Sequence, residues 1–266
     1  VPFLWITDVL EKYAEDDSPA HEYLGPDGVW TCLSRRELLL ETRAAAAALT
    51  ASGLRPGDRV AMVAGDPRPF VRTFLGALWA GLVPVPVPPP PLLGRHGSWN
   101  ELLDTVVAAA EPKMLCLSAS EREVARPPGP LATYEDLATA LPNGDGPAPS
   151  GPDQVAYLQF SSGSTARPRA VAARAEAVMA NGTAIMREGL HADSGTDRGL
   201  SWLPLHHDMG LVGFLLAPLI VGVPTSFIPT NTFVRDPGSW MRGMSERSAT
   251  ITLSLIHISE RAGKAD

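Results

Sequence analysis

Apolar and polar positions alternate at two periods along this chain, and the switch between them predicts its elements. Leu4, Val9, Leu10 and Tyr13 recur at helical spacing, so a helix is expected over residues 3–14, ended by Asp16-Asp17-Ser18-Pro19. Residues 21–24 and 29–33 flank Gly25-Pro26-Asp27-Gly28 and read as a β-hairpin. Ser34 with Glu37 three residues on is a capping box, opening a helix that runs to about Ser52 and stops at Gly53. Residues 59–64 read as a buried strand. Pro67 starts a helix ending near Gly81, with Phe70, Phe74, Leu75 and Leu78 on one face. Residues 83–87 are strand-like and run into the stiff Pro88-Pro89-Pro90-Pro91. A helix over 98–110 and a strand over 113–118 follow.

The second half repeats the alternation more irregularly. Residues 126–153 are rich in Pro and Gly, with a short helix at 134–140, and read as a surface connection. Beyond it come an apolar run at 157–160, a short strand at 170–172, a helix at 174–188 and a strand at 200–203. An apolar helix at 208–221, a strand at 224–229, a helix at 237–246 and a strand at 249–253 complete the pattern. Repeated β-then-α order predicts an α/β fold whose parallel-rich sheets are covered by helices. The expected organisation is a first subdomain at 1–125, the connection at 126–153, a second subdomain at 154–252, and a tail at 253–266.

Composition adds limits. The chain has 266 residues, 45% hydrophobic and 19% charged, with a net charge of −7 and no basic run, which argues against a nucleic-acid partner. The two cysteines, Cys32 and Cys116, are far apart in apolar surroundings and are expected to be buried free thiols. Six histidines include no pair at zinc spacing. No apolar run of about 18 residues occurs, so no transmembrane segment is expected. No basic stretch precedes an apolar core at the N-terminus, and a cytoplasmic location is the expectation.

Two stretches carry candidate chemistry. Tyr157-Leu158-Gln159-Phe160-Ser161-Ser162-Gly163-Ser164-Thr165-Ala166-Arg167-Pro168-Arg169 begins as a strand and breaks into small hydroxylic residues. Such a loop offers N–H and hydroxyl donors to an anion, and Arg167 and Arg169 add charge-assisted hydrogen bonds. A Ser/Gly surface linker is the alternative; the apolar strand leading in and the Pro fixing the exit favour a polyphosphate grip. It is not a Walker-type P-loop, since no Gly-Lys-Ser/Thr occurs, nor a Gly-x-Ser-x-Gly nucleophile elbow. The other stretch is Ser201-Trp202-Leu203-Pro204-Leu205-His206-His207-Asp208-Met209-Gly210-Leu211. Adjacent side chains on an extended segment point apart, so His-His-Asp is a poor metal site. A general base is open to a histidine. On the residues alone, a helix N-terminus with Asp208 as N-cap and histidines satisfied by backbone is favoured.

Both stretches resemble the adenylate-forming ligases: acyl-CoA synthetases, fatty acyl-AMP ligases and peptide-synthetase adenylation domains. The family's phosphate loop reads Thr-Ser-Gly-Ser/Thr-Thr-Gly-x-Pro-Lys-Gly. Ser161 takes its first position, and Ser162, Gly163, Ser164, Thr165 and Pro168 match. Ala166, Arg169 and Ala170 depart from Gly, Lys and Gly. Arg keeps the charge with a different geometry, and Ala166 gives up easy access to positive φ. The second stretch is similar to Leu-Pro-Leu-Tyr/Phe-His-Asp-Met-Gly-Leu, with His207 on the motif histidine and His206 in the aromatic position. The Asp-Met-Gly form is most like fatty acyl-AMP ligases. The Val-Pro segment at 83–89, Leu219-Ile220-Val221-Gly222-Val223-Pro224, and Trp240 with Ser248-Ala249-Thr250 extend the resemblance in order.

The resemblance implies the first part of the large N-terminal domain of such an enzyme, with its second subdomain incomplete. It implies that Ser161, Ser162, Gly163, Ser164, Thr165 and Arg169 hold the phosphates of ATP, that Thr165 reaches Mg²⁺, and that His207 lies where the acyl group meets the α-phosphate. The implied reaction joins a fatty or other carboxylic acid to AMP with release of pyrophosphate. The acyl group then passes to an acyl carrier protein thiol or, alternatively, to coenzyme A. The family's Tyr-Gly-x-Thr-Glu, ribose-binding Asp and lid lysine find no match, so this chain alone is expected to be inactive. Residues 253–266 leave the family pattern and read as translated sequencing-adapter or vector sequence, with a divergent native C-terminus the alternative. The rival reading, a degenerate non-catalytic binding module, rests on Ala166, Arg169 and Ala170.

Overall fold

The structure, a computed structural model, describes residues 3–91, 97–126, 129–142, 146–161 and 169–253. The chain opens with helix α1 (Ile6–Glu11), then strands β1 (Pro19–Leu24) and β2 (Trp30–Ser34). These form the expected antiparallel hairpin, with Glu22 opposite Cys32 and Leu24 opposite Trp30. Helix α2 (Arg35–Ala51) starts on the expected capping box: the Ser34 hydroxyl accepts from Glu37 N–H, and the Glu37 carboxylate accepts from Ser34 N–H. Gly53 follows it at φ 89°, a conformation open to Gly without strain.

Strand β3 (Arg59–Val63), helix α3 (Pro67–Trp79), strand β4 (Val83–Val87), helix α4 (Gly97–Ala110) and strand β5 (Met114–Leu117) form the α/β alternation read from the pattern. Two short helices, α5 (Ala119–Arg122) and α6 (Tyr134–Leu137), bracket β6 (Leu131–Thr133). The Pro/Gly-rich stretch is therefore more than a surface connection: β6 completes an all-parallel sheet of order β4-β3-β5-β6. Three residues are too few to give a periodic signal in sequence, and only pairing with β5 defines them.

Strands β7 (Val155–Ser161) and β8 (Arg169–Arg174) form an antiparallel hairpin of their own, with Ser161 opposite Arg169. The Ser161 loop does leave the C-terminal end of a strand, but of a hairpin strand and not of a parallel sheet. The connection is too short for the crossover that parallel strands require. Helix α7 (Ala175–Thr183) continues as a π-helical turn, Ala184–Gly189. Strand β9 (Gly199–Ser201) leads to helix α8 (Asp208–Gly210), a π-helical turn at Leu211–Leu216 and helix α9 (Ala217–Val221). Strand β10 (Thr225–Phe227) and helices α10 (Thr230–Arg235) and α11 (Gly238–Glu246) complete the fold. Of the strand expected at 249–253, one bridge remains, Ile251 beside Gly199.

The second four-stranded sheet has the order β2-β1-β10-β9, in which β1 pairs with β10 and β10 with β9 in parallel. It takes two strands from before residue 125 and two from after 154, so the two expected subdomains do not correspond to one sheet each. The apolar pattern marks a strand's faces but not its partner, and β1 meets β10 across some 200 residues of chain.

Sheet faces sort the core. Val60 and Met62 of β3 join the large cluster containing Phe70, Phe74 and Leu78 of α3, Leu38 and Leu49 of α2, and Tyr23 and Phe227 of the other sheet. Ala61 and Val63 face the opposite way, against Trp99, Leu103 and Val106 of α4. Period-two alternation thus puts helices on both faces of β3. The α2–α3 pair is shared by both sheets. Cys116 is buried, with its thiol pushed up to about 12 by burial, whereas Cys32 is exposed, contrary to expectation. Cys32 faces outward on β2, the edge strand of its sheet among the described residues.

The α2–α3 contact depends on Gly76. A Cβ there would lie 2.6 Å from Ala45 Cβ and 2.9 Å from Ala46 N. Gly76→Ala is expected to destabilise the chain by about 2 kcal/mol through overpacking. Gly213→Ala, where a Cβ meets nothing within 4 Å, is expected to be neutral or stabilising by up to about 1 kcal/mol. Urea unfolding of the two variants checks the contrast.

Candidate active site

The His-His-Asp stretch leaves the C-terminal end of β9, where parallel strands of α/β proteins present ligand sites. Ser201 Oγ accepts from Leu203 N–H at 3.0 Å, and Trp202 stacks on Phe233 with ring centroids 3.7 Å apart. His207 N–H donates to Pro204 O at 3.1 Å, closing a tight turn. The glycine of Asp-Met-Gly has a steric reason. A Cβ on Gly210 would run into the Pro204 carbonyl oxygen, with the carbonyl carbon 2.8 Å away and Leu203 O 3.0 Å away.

The turn projects two histidines into different surroundings. His207 occupies the N-cap position and Asp208 the first helical position, one residue on from the sequence reading. Asp208 Oδ1 accepts from Met209 N–H at 2.8 Å and lies 2.6 Å from His207 Nδ1. The His207 and Asp208 side chains are 54% and 67% exposed, so a ligand can reach both. The carboxylate holds one ring nitrogen and leaves Nε2 for other partners. His206 is half-buried. Its Nδ1 has no hydrogen-bond partner among the described residues, so the expectation that backbone satisfies both histidines does not hold there. Burial, and secondarily the neighbouring His207, push its pKa down to about 4, so the ring is neutral near pH 7.

Gln159 of β7 donates from Nε2 to His206 O at 3.1 Å and ties the hairpin to this turn. Sequence reading missed Gln159, which sits inside the motif's lead-in strand with nothing to mark it. Between the turn, the hairpin and the first sheet lies a cavity of ≈ 510 Å³, lined by Pro86, Pro88, Leu102, Val106, Gln159, Phe160, Val171, His206, His207 and Asp208. Pro86, Pro88, Leu102, Val106, Phe160 and Val171 make its walls mainly apolar, and its polar lining residues are Gln159, His206, His207 and Asp208. The Val-Pro alternation was the only sequence signal pointing to Pro86 and Pro88. Leu102, Val106, Phe160 and Val171 read as ordinary core.

Of the other candidate residues, Ser161 ends β7, and exposed Arg169 begins β8 opposite it, so they form the base of the loop. Ser162, Gly163, Ser164 and Thr165 lie outside the described residues. No group of three or more His, Cys, Asp or Glu side chains among the described residues is placed to hold a metal ion. No described helix is long and apolar enough to cross a membrane.

Residues 10–258 match the family model described as AMP-binding enzyme. The chain belongs to the AMP-binding enzyme family. Among similar AMP-binding proteins, one from Caulobacter vibrioides named as an acyl-CoA synthetase is 35% identical over 95% of this chain and 45% of its own length. The long-chain-fatty-acid–AMP ligase FadD32 of Mycolicibacterium smegmatis is 34% identical over 90% of this chain and 39% of its own. A solved structure from work on the fatty acyl-adenylate ligases of E. coli and L. pneumophila superposes with a TM-score of 0.86 at 30% identity, covering 95% of this chain and 46% of that one. A fatty acyl-adenylate ligase of L. pneumophila in complex with acyl adenylate and pyrophosphate superposes at 0.81 and 26% identity, covering 92% and 43%. The chain thus spans less than half the length of these relatives.

Two predictions follow from the geometry. Gly210→Ala is expected to cost about 1–3 kcal/mol and to move the backbone amide signals of His206 and His207, because backbone would meet side chain with nothing flexible to yield. His206 and the fully buried His21, held at about 3 by burial, both have depressed values in the fold. Their stability contribution is present above the ordinary imidazole value of about 6.5 and is lost as pH falls from there towards 4 and 3. Urea titrations from pH 7 to 4 should show a loss that is shallower in His206→Phe, by up to about 3 kcal/mol.

Proposed function

We propose that this chain is the N-terminal part of an ATP-dependent ligase that activates a fatty or other carboxylic acid as its acyl-AMP and releases pyrophosphate. The observation that carries the reading is the mainly apolar cavity that His207 and Asp208 help to line. An alkyl chain lying on Pro86, Leu102, Val106, Phe160 and Val171 gains roughly 0.8 kcal/mol for each CH₂ taken from water. The acid's carboxylate then lies beside His207. The fatty acyl-adenylate ligases among the relatives support the substrate class.

In the reaction a carboxylate oxygen attacks the α-phosphorus of ATP. The bond to the bridging oxygen breaks and pyrophosphate leaves. Two anions must be brought together, so the protein's work is charge neutralisation and alignment rather than covalent help. By resemblance, Ser161, Ser162, Gly163, Ser164, Thr165 and Arg169 would hold the phosphates, and Thr165 would offer its hydroxyl to Mg²⁺, which would neutralise phosphate charge. Pairing of Ser161 with Arg169 gives that loop a fixed base. His207, oriented by Asp208, presents Nε2 to the acyl–phosphate junction. The activated acyl group passes to a carrier-protein thiol, with coenzyme A the alternative that the Caulobacter relative's name favours. The setting is cytoplasmic.

Pyrophosphate release by the whole protein with ATP and a fatty acid tests the reading. His207→Ala is expected to lower kcat/KM about 10²–10³-fold. Release that appears only after Ala166→Gly with Arg169→Lys would instead establish a degenerate binding module.

A further inference from the structure

A side chain joins the two stretches that carry this chain's chemistry. Gln159 of β7 donates from Nε2 to His206 O at 3.1 Å, across 47 residues of sequence. A backbone carbonyl only accepts, so the NH₂ of the amide is the group that faces it. Both ends of the bond are held. Tyr157 is buried and packs on Phe74 with ring centroids 6.1 Å apart, which seats β7 in the large core cluster. Leu158 and Phe160 pack on the other cluster, against the α4 side. The pairs Gln159–Val171, Phe160–Ala170 and Ser161–Arg169 fix the strand against β8. Across the bond, His207 N–H donates to Pro204 O and Leu211 N–H to His207 O at 2.8 Å, which stiffens the turn around the His206 carbonyl.

We infer that Gln159 is a positioning residue for the ligation, setting His207 against the base of the phosphate loop. The spans are short at both ends. Ser161, at the loop base, is two residues along β7 from Gln159, about 6.6 Å. His207 is one residue from His206, about 3.8 Å between Cα atoms. A turn that slides on the hairpin therefore carries His207 with it, while the loop stays with β7. Attack of a carboxylate on the α-phosphorus needs the two held in line at about 3–3.5 Å, and a misplacement of about 1 Å can cost about 10²-fold. Without the Gln159 donor each substrate keeps its own binding groups, and what is lost is their alignment. The inference rests on the ligase reading of these two stretches.

The test is Gln159→Met, which keeps the length of the side chain and removes its donor, in the whole protein with ATP and dodecanoate. The kcat for pyrophosphate release is expected to fall about 10–100-fold, with KM for ATP and for dodecanoate within about twofold of the unaltered protein. Gln159→Glu, equal in size and unable to donate when ionised, should lose at least as much. In the 266-residue chain either substitution should move the His206 carbonyl ¹³C signal, which reports the bond itself. An unmoved signal, or an unchanged kcat beside a moved one, overturns the assignment. A change confined to KM for dodecanoate also overturns it, making the cavity-lining Gln159 a contact of the acid instead. So does a fall in kcat that vanishes when rates are expressed per folded molecule, counted by circular dichroism. An unaltered protein that releases no pyrophosphate overturns the ligase reading and this assignment with it.

Discussion

The close approach of helices α2 and α3 is the constraint on which the rest of this structure depends. The two helices form a single layer that both four-stranded sheets use as a wall. Phe70, Phe74, Leu38 and Leu49 are completely buried in that layer. The backbones can come this near because Gly76 faces Ala45, Ala46 and Thr42. Any side chain at Gly76 would push α3 off α2. The sheet containing β3 and β4 would move away from the sheet containing β1 and β10. The candidate site would move with it, because its cavity takes walls from β4 and α4 on one side and from the turn after β9 on the other.

Small residues recur at the point of chemistry for a related reason. Gly210 lies against the Pro204 carbonyl, and that contact lets the chain leave β9, turn once and enter α8 within a few residues. The turn sets two adjacent histidines in unlike environments. One is open to solvent and held by a carboxylate, and the other is half-buried and neutral. The π-helical turn at Leu211–Leu216 follows directly, with Leu211, Phe214, Leu215 and Leu216 buried under the site. Such π turns frequently accompany functional sites, and here one carries the helix from a polar start into the core.

Where the local signal was chemical, the sequence was legible. The capping box at Ser34 and Glu37, the Gly-Pro-Asp-Gly turn between β1 and β2, and the Val-Pro strand all act within a few residues, so their readings survive into the structure. Where the signal depended on a partner, it was not. β6 exists because β5 offers it an edge. β7 reads as a strand of any kind until β8 pairs with it. Leu102 and Val106 look like core on a helix face, and they become cavity wall only because the hairpin stands off from them.

The sequence by itself determined the family pattern, the α/β alternation and the two chemical stretches, since these rest on residue type and spacing. Tertiary structure decided that strands from both halves of the chain share one sheet, that Gln159 joins the hairpin to the His206 turn, and that a nitrogen of His206 has no partner among the described residues. Those outcomes depend on which apolar faces meet and how closely. Periodicity carries the identity of a buried face, but the partner of that face is fixed only when the whole core packs.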